Sequence, residues 1–375
     1  MRNFKRAIIL LIAPALWSCT QNKKAAATVD SASADTAYYT LADYKKVRKY
    51  DVHVHLLKED TTFIKQSLAE NFYLLDVNVD VQEIIPIEEQ QKIALKNLKQ
   101  FPNIFQYATA FTVRNWNDPK WLEKSLAYIK DSFAKGAITI KIWKNIGMVL
   151  KDKDGKYVKI DDPRFDPILD YLAKNRIPVM GHLGDPQEAW WPIDSMTVKG
   201  DIDYFTAHPE YYSYLHPEFP KWEEVIGARD HMLEKHPDLK FVGVHLGGLE
   251  WSIDELAKRL DKFPNMAVDV AERLPHIQRQ SITRYDDVRK FFLKYQDRIL
   301  YGTDIIVDGT KTPEEMKKHA YDIRIRHWKY FTSDDKMTAP ELLKGEFKGL
   351  KLPKEVVDKI YRRNAELWLN MHPKG

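Results

Sequence analysis

The sequence predicts an α/β protein: a (β/α)8 barrel of the TIM type, with its last helices packed outside. Three observations lead there. Short β-rich runs recur eight times, amphipathic helical segments separate them, and turn residues punctuate the joints. Strands that alternate with helices form parallel βαβ units, and eight such units are the number that closes a barrel.

In chain order the strand candidates are residues 51–55, 72–77, 104–111, 137–142, 177–181, 240–245, 266–270 and 299–302. Turn signals precede several of them: Phe101-Pro102-Asn103, Asn175-Arg176, His236-Pro237-Asp238, Phe263-Pro264-Asn265 and Gln296-Asp297-Arg298. Helical segments at 88–100, 119–133, 163–174, 223–235, 253–262 and 286–295 fill the intervals. Helices after residue 313, including 355–370, are left to pack outside. A doubly wound open sheet is the competing architecture. Against it, no Gly-x-Gly-x-x-Gly follows the first strand. The candidate site residues also end many different strands, and only a closed barrel gathers all strand ends around one mouth.

The chain has 375 residues, 44% of them hydrophobic, enough for one large core. Its beginning has a separate character. Arg2, Lys5 and Arg6 precede an apolar run at 7–17, and Ser18-Cys19 follows, the layout of a signal peptide over 1–18. Cys19, after Leu16-Trp17-Ser18, resembles the lipidated cysteine of bacterial lipoproteins. Residues 19–40, rich in Ala, Ser, Thr and Asp, suit a flexible tether, and 41–375 form the barrel. The expectation is an exported protein of the bacterial cell envelope that touches membrane only through this anchor. Cys19 is the sole cysteine, which excludes internal disulfides and Cys-based zinc sites. A net charge of +4, with no basic block interleaved with aromatics, argues against nucleic acid and for a small-molecule partner. Oligomeric state is not legible.

Chemistry concentrates at strand ends. In Asp51-Val52-His53-Val54-His55, alternation puts both imidazoles on one face and both valines on the other. In 137–142 the three isoleucines face outward, leaving Ala137, Thr139 and Lys141 inside. In 241–245 the valines pack outward and His245 points in, as does Asp269 between Val268 and Val270. His182 ends the fifth run and Asp304 follows the last. One buried histidine is most often a core residue. Four histidines and an aspartate at the C-terminal ends of barrel strands, where catalytic groups sit, are not explained by packing. Imidazole and carboxylate ligands with an open position suit one divalent cation: Zn²⁺, with Mn²⁺ or Fe²⁺ as alternatives.

These pieces together resemble the amidohydrolase superfamily, in the branch that includes aminocarboxymuconate-semialdehyde decarboxylase. The carriers are Asp-Val-His-Val-His at 51–55, Gly181-His182-Leu183-Gly184-Asp185, His245-Leu246-Gly247-Gly248, Tyr301-Gly302-Thr303-Asp304 and Ile360-Tyr361-Arg362-Arg363-Asn364-Ala365, over about residues 48–372. The resemblance implies that His53, His55, His182 and Asp304 hold the metal. His245 is then the catalytic histidine or, in two-metal members, a ligand of the second ion, and Asp304 doubles as proton acceptor. The activity implied is hydrolysis of an amide, lactone or other ester of a small cyclic, aromatic or sugar-like substrate. Non-oxidative decarboxylation is the alternative, and a non-catalytic ligand-binding surface lipoprotein stands third.

Lys141 has three readings: a carbamylated bridge between two metals, an ammonium for a substrate carboxylate, or an ion pair with Asp269. The one-metal branch lacks the carbamylated lysine, which favours a single ion. The segment 184–222 is long for a loop after a strand and holds nine aromatics, including Trp190 and Trp191. Most belong to a satellite core, and a few to a pocket wall. Asp185, Trp190, Trp191, Trp143 and Asp269 are the candidate substrate contacts, with Arg114, Lys144 and Arg273 as candidate holders of an anionic group.

Overall fold

The computed structural model describes residues 37–372. The expected signal peptide, Cys19 and most of the expected tether lie outside the described residues. The tether's last residues, 37–40, are held against the body. Lys354 N donates to Ala37 O (2.9 Å), Trp328 Nε1 donates to Thr40 O (3.0 Å), and the Tyr39 ring lies 5.5 Å from that of Trp328.

All eight expected strands form: β1 (Lys49–Leu56), β2 (Phe72–Val77), β3 (Phe105–Ala110), β4 (Thr139–Ile142), β5 (Val179–Gly181), β6 (Phe241–Gly243), β7 (Met266–Asp269) and β8 (Ile299–Leu300). They pair in chain order, every pair parallel. A ninth, β9 (Ile305–Val307), pairs parallel with the free edge of β1. Between β8 and β9 the chain keeps to β1, with Val52 N donating to Tyr301 O (3.0 Å) and Asp304 N to His53 O (2.7 Å). β8 and β9 are therefore two halves of one interrupted strand, and their bonds to β1 curl the sheet into a TIM-barrel-like cylinder.

Seven of the eight strands contribute to one buried cluster that includes Val52, Leu75, Ala108, Met180, Val242, Ala267 and Leu300, which marks it as the interior. Trp368, Leu369 and Met371 join it from the C-terminal end of the chain. The cluster corrects three parity readings. Val52 lies in it, whereas Val54 packs with Phe63, Ile64 and Leu74 in an outer cluster. The cause is a bulge: Asp51 pairs with Leu74 but Val54 with Asp76, so β1 carries one extra residue and alternation resets before the histidines. Val242 and Val244 are interior rather than outward. His245 still turns in because it and Leu246 leave the strand in left-handed backbone, φ 58° and 57°. Ile140 and Ile142 pack outward as expected, but Ile138 packs against the interior cluster.

Helix Ile253–Lys262 falls where the sequence puts it, capped by Ser252 Oγ accepting from Glu255 N. Helix Leu274–Lys294 starts twelve residues before the expected segment, because non-helical backbone at Arg284 (φ −132°, ψ 41°) interrupts the repeat. Helix Pro313–Thr332 begins with a capping box between Thr312 and Glu315. From this helix Arg324 reaches inward to Asp51 Oδ2 (3.0 Å) and Ser67 Oγ (2.9 Å). Asp51 in turn accepts from Thr303 N (2.9 Å) and Thr303 Oγ1 (2.8 Å). One buried ion pair thus fixes the turn that presents Asp304. Among the described residues no helix is long and apolar enough to cross a membrane.

Candidate metal centre

The three histidines on β1 and after β6 are each fixed through Nδ1. His53 Nδ1 lies 3.0 Å from Asp269 Oδ2, His55 Nδ1 2.6 Å from Val77 O, and His245 Nδ1 2.9 Å from Ala271 O. An oxygen acceptor at each Nδ1 assigns the ring proton there and leaves Nε2 with a bare lone pair. The three Nε2 atoms converge on Asp304, at 3.2 Å (His53) and 3.1 Å (His55) from Oδ1 and 3.8 Å (His245) from Oδ2. Lone pairs aimed at a carboxylate repel one another unless a cation stands between them. Burial lowers His55 and His245, keeping their imidazoles neutral as a metal ligand must be. The donor set therefore fits a divalent cation.

His182 attaches to this set through His245, with ring centroids 4.4 Å apart. Its Nε2 is shut off from solvent with no hydrogen-bond partner, and the closest carboxylate oxygen, Asp185 Oδ1, is 3.7 Å away. Its ring packs on His245, but the ligand atoms that lie closest together are those of His53, His245 and Asp304, and His182 stands outside that set.

Asp269 does two things at once. Besides holding His53, its Oδ1 accepts from His245 N (2.7 Å) and Ala271 N (3.2 Å), stabilising the left-handed exit from β6. Asp269 is thus a positioning group behind the histidines rather than a substrate contact. Lys141 makes no ion pair with Asp269, because His53 lies between them: its Nε2 is 3.0 Å from Lys141 Nζ. Burial pulls the Lys141 ammonium down to about 8.

The remaining expected substrate residues scatter. Lys144 and Asp185 bind each other, Nζ to both carboxylate oxygens at 2.6 and 2.7 Å. Arg114 and Trp143, with Asp80, Asn145 and Tyr211, line a cavity of about 240 Å³ formed by loops after β2, β3, β4 and β5, and none of the four histidines lines it. Trp190 donates its indole N–H to Pro220 O (3.1 Å) and packs on a satellite cluster of Ala189, Met196, Phe205 and Tyr212. Trp191 O accepts from Tyr212 Oη (2.6 Å). Sequence reasoning missed the Val77 and Ala271 carbonyls, which carry no side-chain signal, and the anchoring role of Asp51, which lies two residues before His53.

Comparison with known proteins gives the frame. The 2,6-dihydroxybenzoate decarboxylase from Rhizobium is 18% identical, covers 86% of this chain and 98% of its own, and superposes with a TM-score of 0.50. An uncharacterised TIM-barrel protein of Bordetella bronchiseptica is 15% identical over 86% of this chain and 99% of its own, TM-score 0.51. At such identities these likenesses are of fold. The toxin coregulated pilus biosynthesis protein B of Vibrio cholerae is 29% identical over 86 residues, 23% of this chain, and the chain spans only 20% of that protein's length. The profile of the amidohydrolase family matches residues 50–370, the whole barrel with every residue of the site. The chain belongs to the amidohydrolase family.

Proposed function

We propose that the protein is a metal-dependent hydrolase of an amide, lactone or other ester bond in a small cyclic, aromatic or sugar-like molecule. The observation that carries this reading is the set of three imidazoles, each committed through Nδ1 and unprotonated at Nε2, gathered on Asp304. His53, His55, His182 and Asp304 are the ligands for one divalent cation, Zn²⁺ before Mn²⁺ or Fe²⁺. Such an ion, when bound, supplies Lewis acidity that polarises a carbonyl and acidifies water. Asp304 takes the proton of the attacking water and passes it to the leaving group. His245, fixed through Nδ1 on Ala271 O, is the catalytic histidine beside the reacting bond. Lys141 stays an ammonium in this reading and yields its contact with His53 Nε2 to the cation.

The second reading is non-oxidative decarboxylation, suggested by the shared fold with the Rhizobium enzyme. A non-catalytic ligand-binding lipoprotein is third. We place the protein in the bacterial cell envelope, tied through Cys19, on the strength of the charged, apolar and small-residue order of 1–19. Metal-loaded protein assayed in parallel for acid release from ester, lactone and amide panels, and for CO₂ release from hydroxybenzoates, separates the readings. Acid release abolished by Asp304→Asn supports hydrolysis. CO₂ release alone overturns it in favour of the second reading.

A further inference from the structure

Where the described chain begins, it is strapped along one flank of the barrel by the contacts of Ala37 and Thr40 with Lys354 and Trp328. The turn Leu41–Asp43 follows, and Tyr44 N closes it on Leu41 O (3.2 Å). Three large apolar side chains stand in solvent around this strap: Leu41 at 53% exposure, Leu68 at 51% and Tyr321 at 40%. They share one face. The Tyr321 ring lies 6.0 Å from that of Tyr44, three residues after Leu41. Arg324, one turn beyond Tyr321, donates to Ser67 Oγ (2.9 Å), and Ser67 is next to Leu68. Gln66 Nε2 donates to Lys317 O (2.8 Å) and Asn71 Nδ2 to Lys46 O (2.9 Å). These bonds lock helix Thr62–Ala69 to helix Pro313–Thr332 and to the segment leading into β1. One exposed leucine needs no explanation, but three large apolar side chains on one face do.

Charge supplies the second observation. Lys45, Lys46, Lys65 and Lys317 are exposed on the same elements, Lys65 one turn from Leu68 and Lys317 one turn from Tyr321. Acids do not match them. Glu70 is buried on Tyr44 Oη (2.7 Å). Asp43 stands 3.8 Å from Lys46 and Glu314 3.9 Å from Lys317, which leaves Lys45 and Lys65, among the described residues, without an ion pair. The strap supplies the third. Cys19 stands eighteen residues before Ala37, and a chain of that length reaches at most about 60 Å. Of all flanks, the one that carries the strap is therefore held nearest to a bilayer that holds Cys19.

We propose that this face, with Leu41, Leu68 and Tyr321 set among lysines, rests on a bilayer surface of anionic phospholipid. The apolar side chains enter the interface and the lysines meet headgroup phosphates. The consequence is orientation. Lys49 and Phe72 open β1 and β2 beside this face, whereas His55 stands late in β1, about 20 Å further along the strand. The mouth at the C-terminal strand ends then points away from the lipid, toward solutes. The proposal rests on the cell-envelope reading for its setting, while the contact itself needs no lipid on Cys19.

The test uses the full chain carrying Cys19→Ser, so that an introduced cysteine is the sole one. An NBD fluorophore is attached at Ala69→Cys on the face, or at Val149→Cys beside the cavity at the mouth, and each protein is titrated with vesicles. The vesicles are phosphatidylcholine alone, or phosphatidylcholine and phosphatidylglycerol in equal parts. The expected result is a blue shift with the mixed vesicles at 69 and none at 149. Lys45→Glu with Lys65→Glu weakens partitioning at least about tenfold, and so does the set Leu41→Ser, Leu68→Ser and Tyr321→Ser. Residues 1–18 are common to every variant, so differences between variants read the face. No shift at 69, a shift at 149 at least as large, or partitioning that neither set of substitutions changes overturns the proposal. A dimer in sedimentation equilibrium that the serine set dissolves overturns it too, since a second copy then takes the face. Vesicle contact through this face, in a protein whose native Cys19 carries no lipid by mass spectrometry after bacterial expression, keeps the proposal and sinks the lipid anchor instead.

Discussion

Asp269→Asn tests whether the site is built to present bare Nε2 atoms. The amide can still offer its oxygen to His245 N and Ala271 N, which now bond the carboxylate at 2.7 and 3.2 Å. Its NH₂ then faces His53 Nδ1, 3.0 Å away in the native protein, and a donor there forces the ring proton onto Nε2. One ligand lone pair disappears while packing and backbone bonds remain. Loss of such an orienting partner weakens metal binding about 10–100-fold, about 1.4–2.7 kcal/mol. Asp269→Ala instead abandons two buried N–H groups at about 1–3 kcal/mol each, so it loses stability as well. The assay is Zn²⁺ affinity by chelator competition, paired with urea unfolding of the metal-free variants. Asn at near-native stability with weakened Zn²⁺ binding is the expected pair of results. An Asn variant that binds Zn²⁺ as tightly as wild type refutes the tautomer argument.

Gly302→Ala puts a methyl 2.9 Å from His53 Cβ, so His53 must move; chelator competition should show weaker metal binding than in wild type at little change in unfolding midpoint. Arg324→Met leaves Asp51 as a buried charge without its cation, and urea unfolding should report a loss of about 3–5 kcal/mol. His327 is buried against Tyr301, and burial pushes its imidazole down to about 3. Above pH 6.5 neither state holds its proton; below it the unfolded chain binds one and the native protein does not until about pH 3. Stability is therefore lost as pH falls through that window, by at most about 4–5 kcal/mol from this group. His327→Gln should flatten the stability-versus-pH curve between pH 6.5 and 4 relative to wild type.

The strands were legible because each is a short apolar run set off by turn residues, and the site motifs late in β1 and just after β8 close such runs. What escaped the sequence were departures from regular backbone. The extra residue in β1 resets alternation between Asp51 and Val54, so Val52 and Val54 part company although both histidines still face Asp304. His245 reaches the site through two left-handed residues, not through strand parity. The long helix after β7 was half hidden by the kink at Arg284, and its first turns bury polar His276 and Gln278 beside Leu274 and Ile277, which blurs the apolar stripe. The substrate residues were the least legible. Lys144 and Asp185, 41 positions apart, neutralise each other, a pairing that only the fold can make. Trp190 serves the satellite cluster under the loop it sits on.

The central claim is that His53, His55, His182 and Asp304 share one divalent cation. Elemental analysis of the purified protein, after Zn²⁺ loading and gel filtration, measures it directly. The account predicts one ion per chain in wild type and none retained by His53→Ala or Asp304→Ala variants that still unfold cooperatively. Wild type that retains no ion, or an Asp304→Ala variant that keeps a full equivalent, contradicts it.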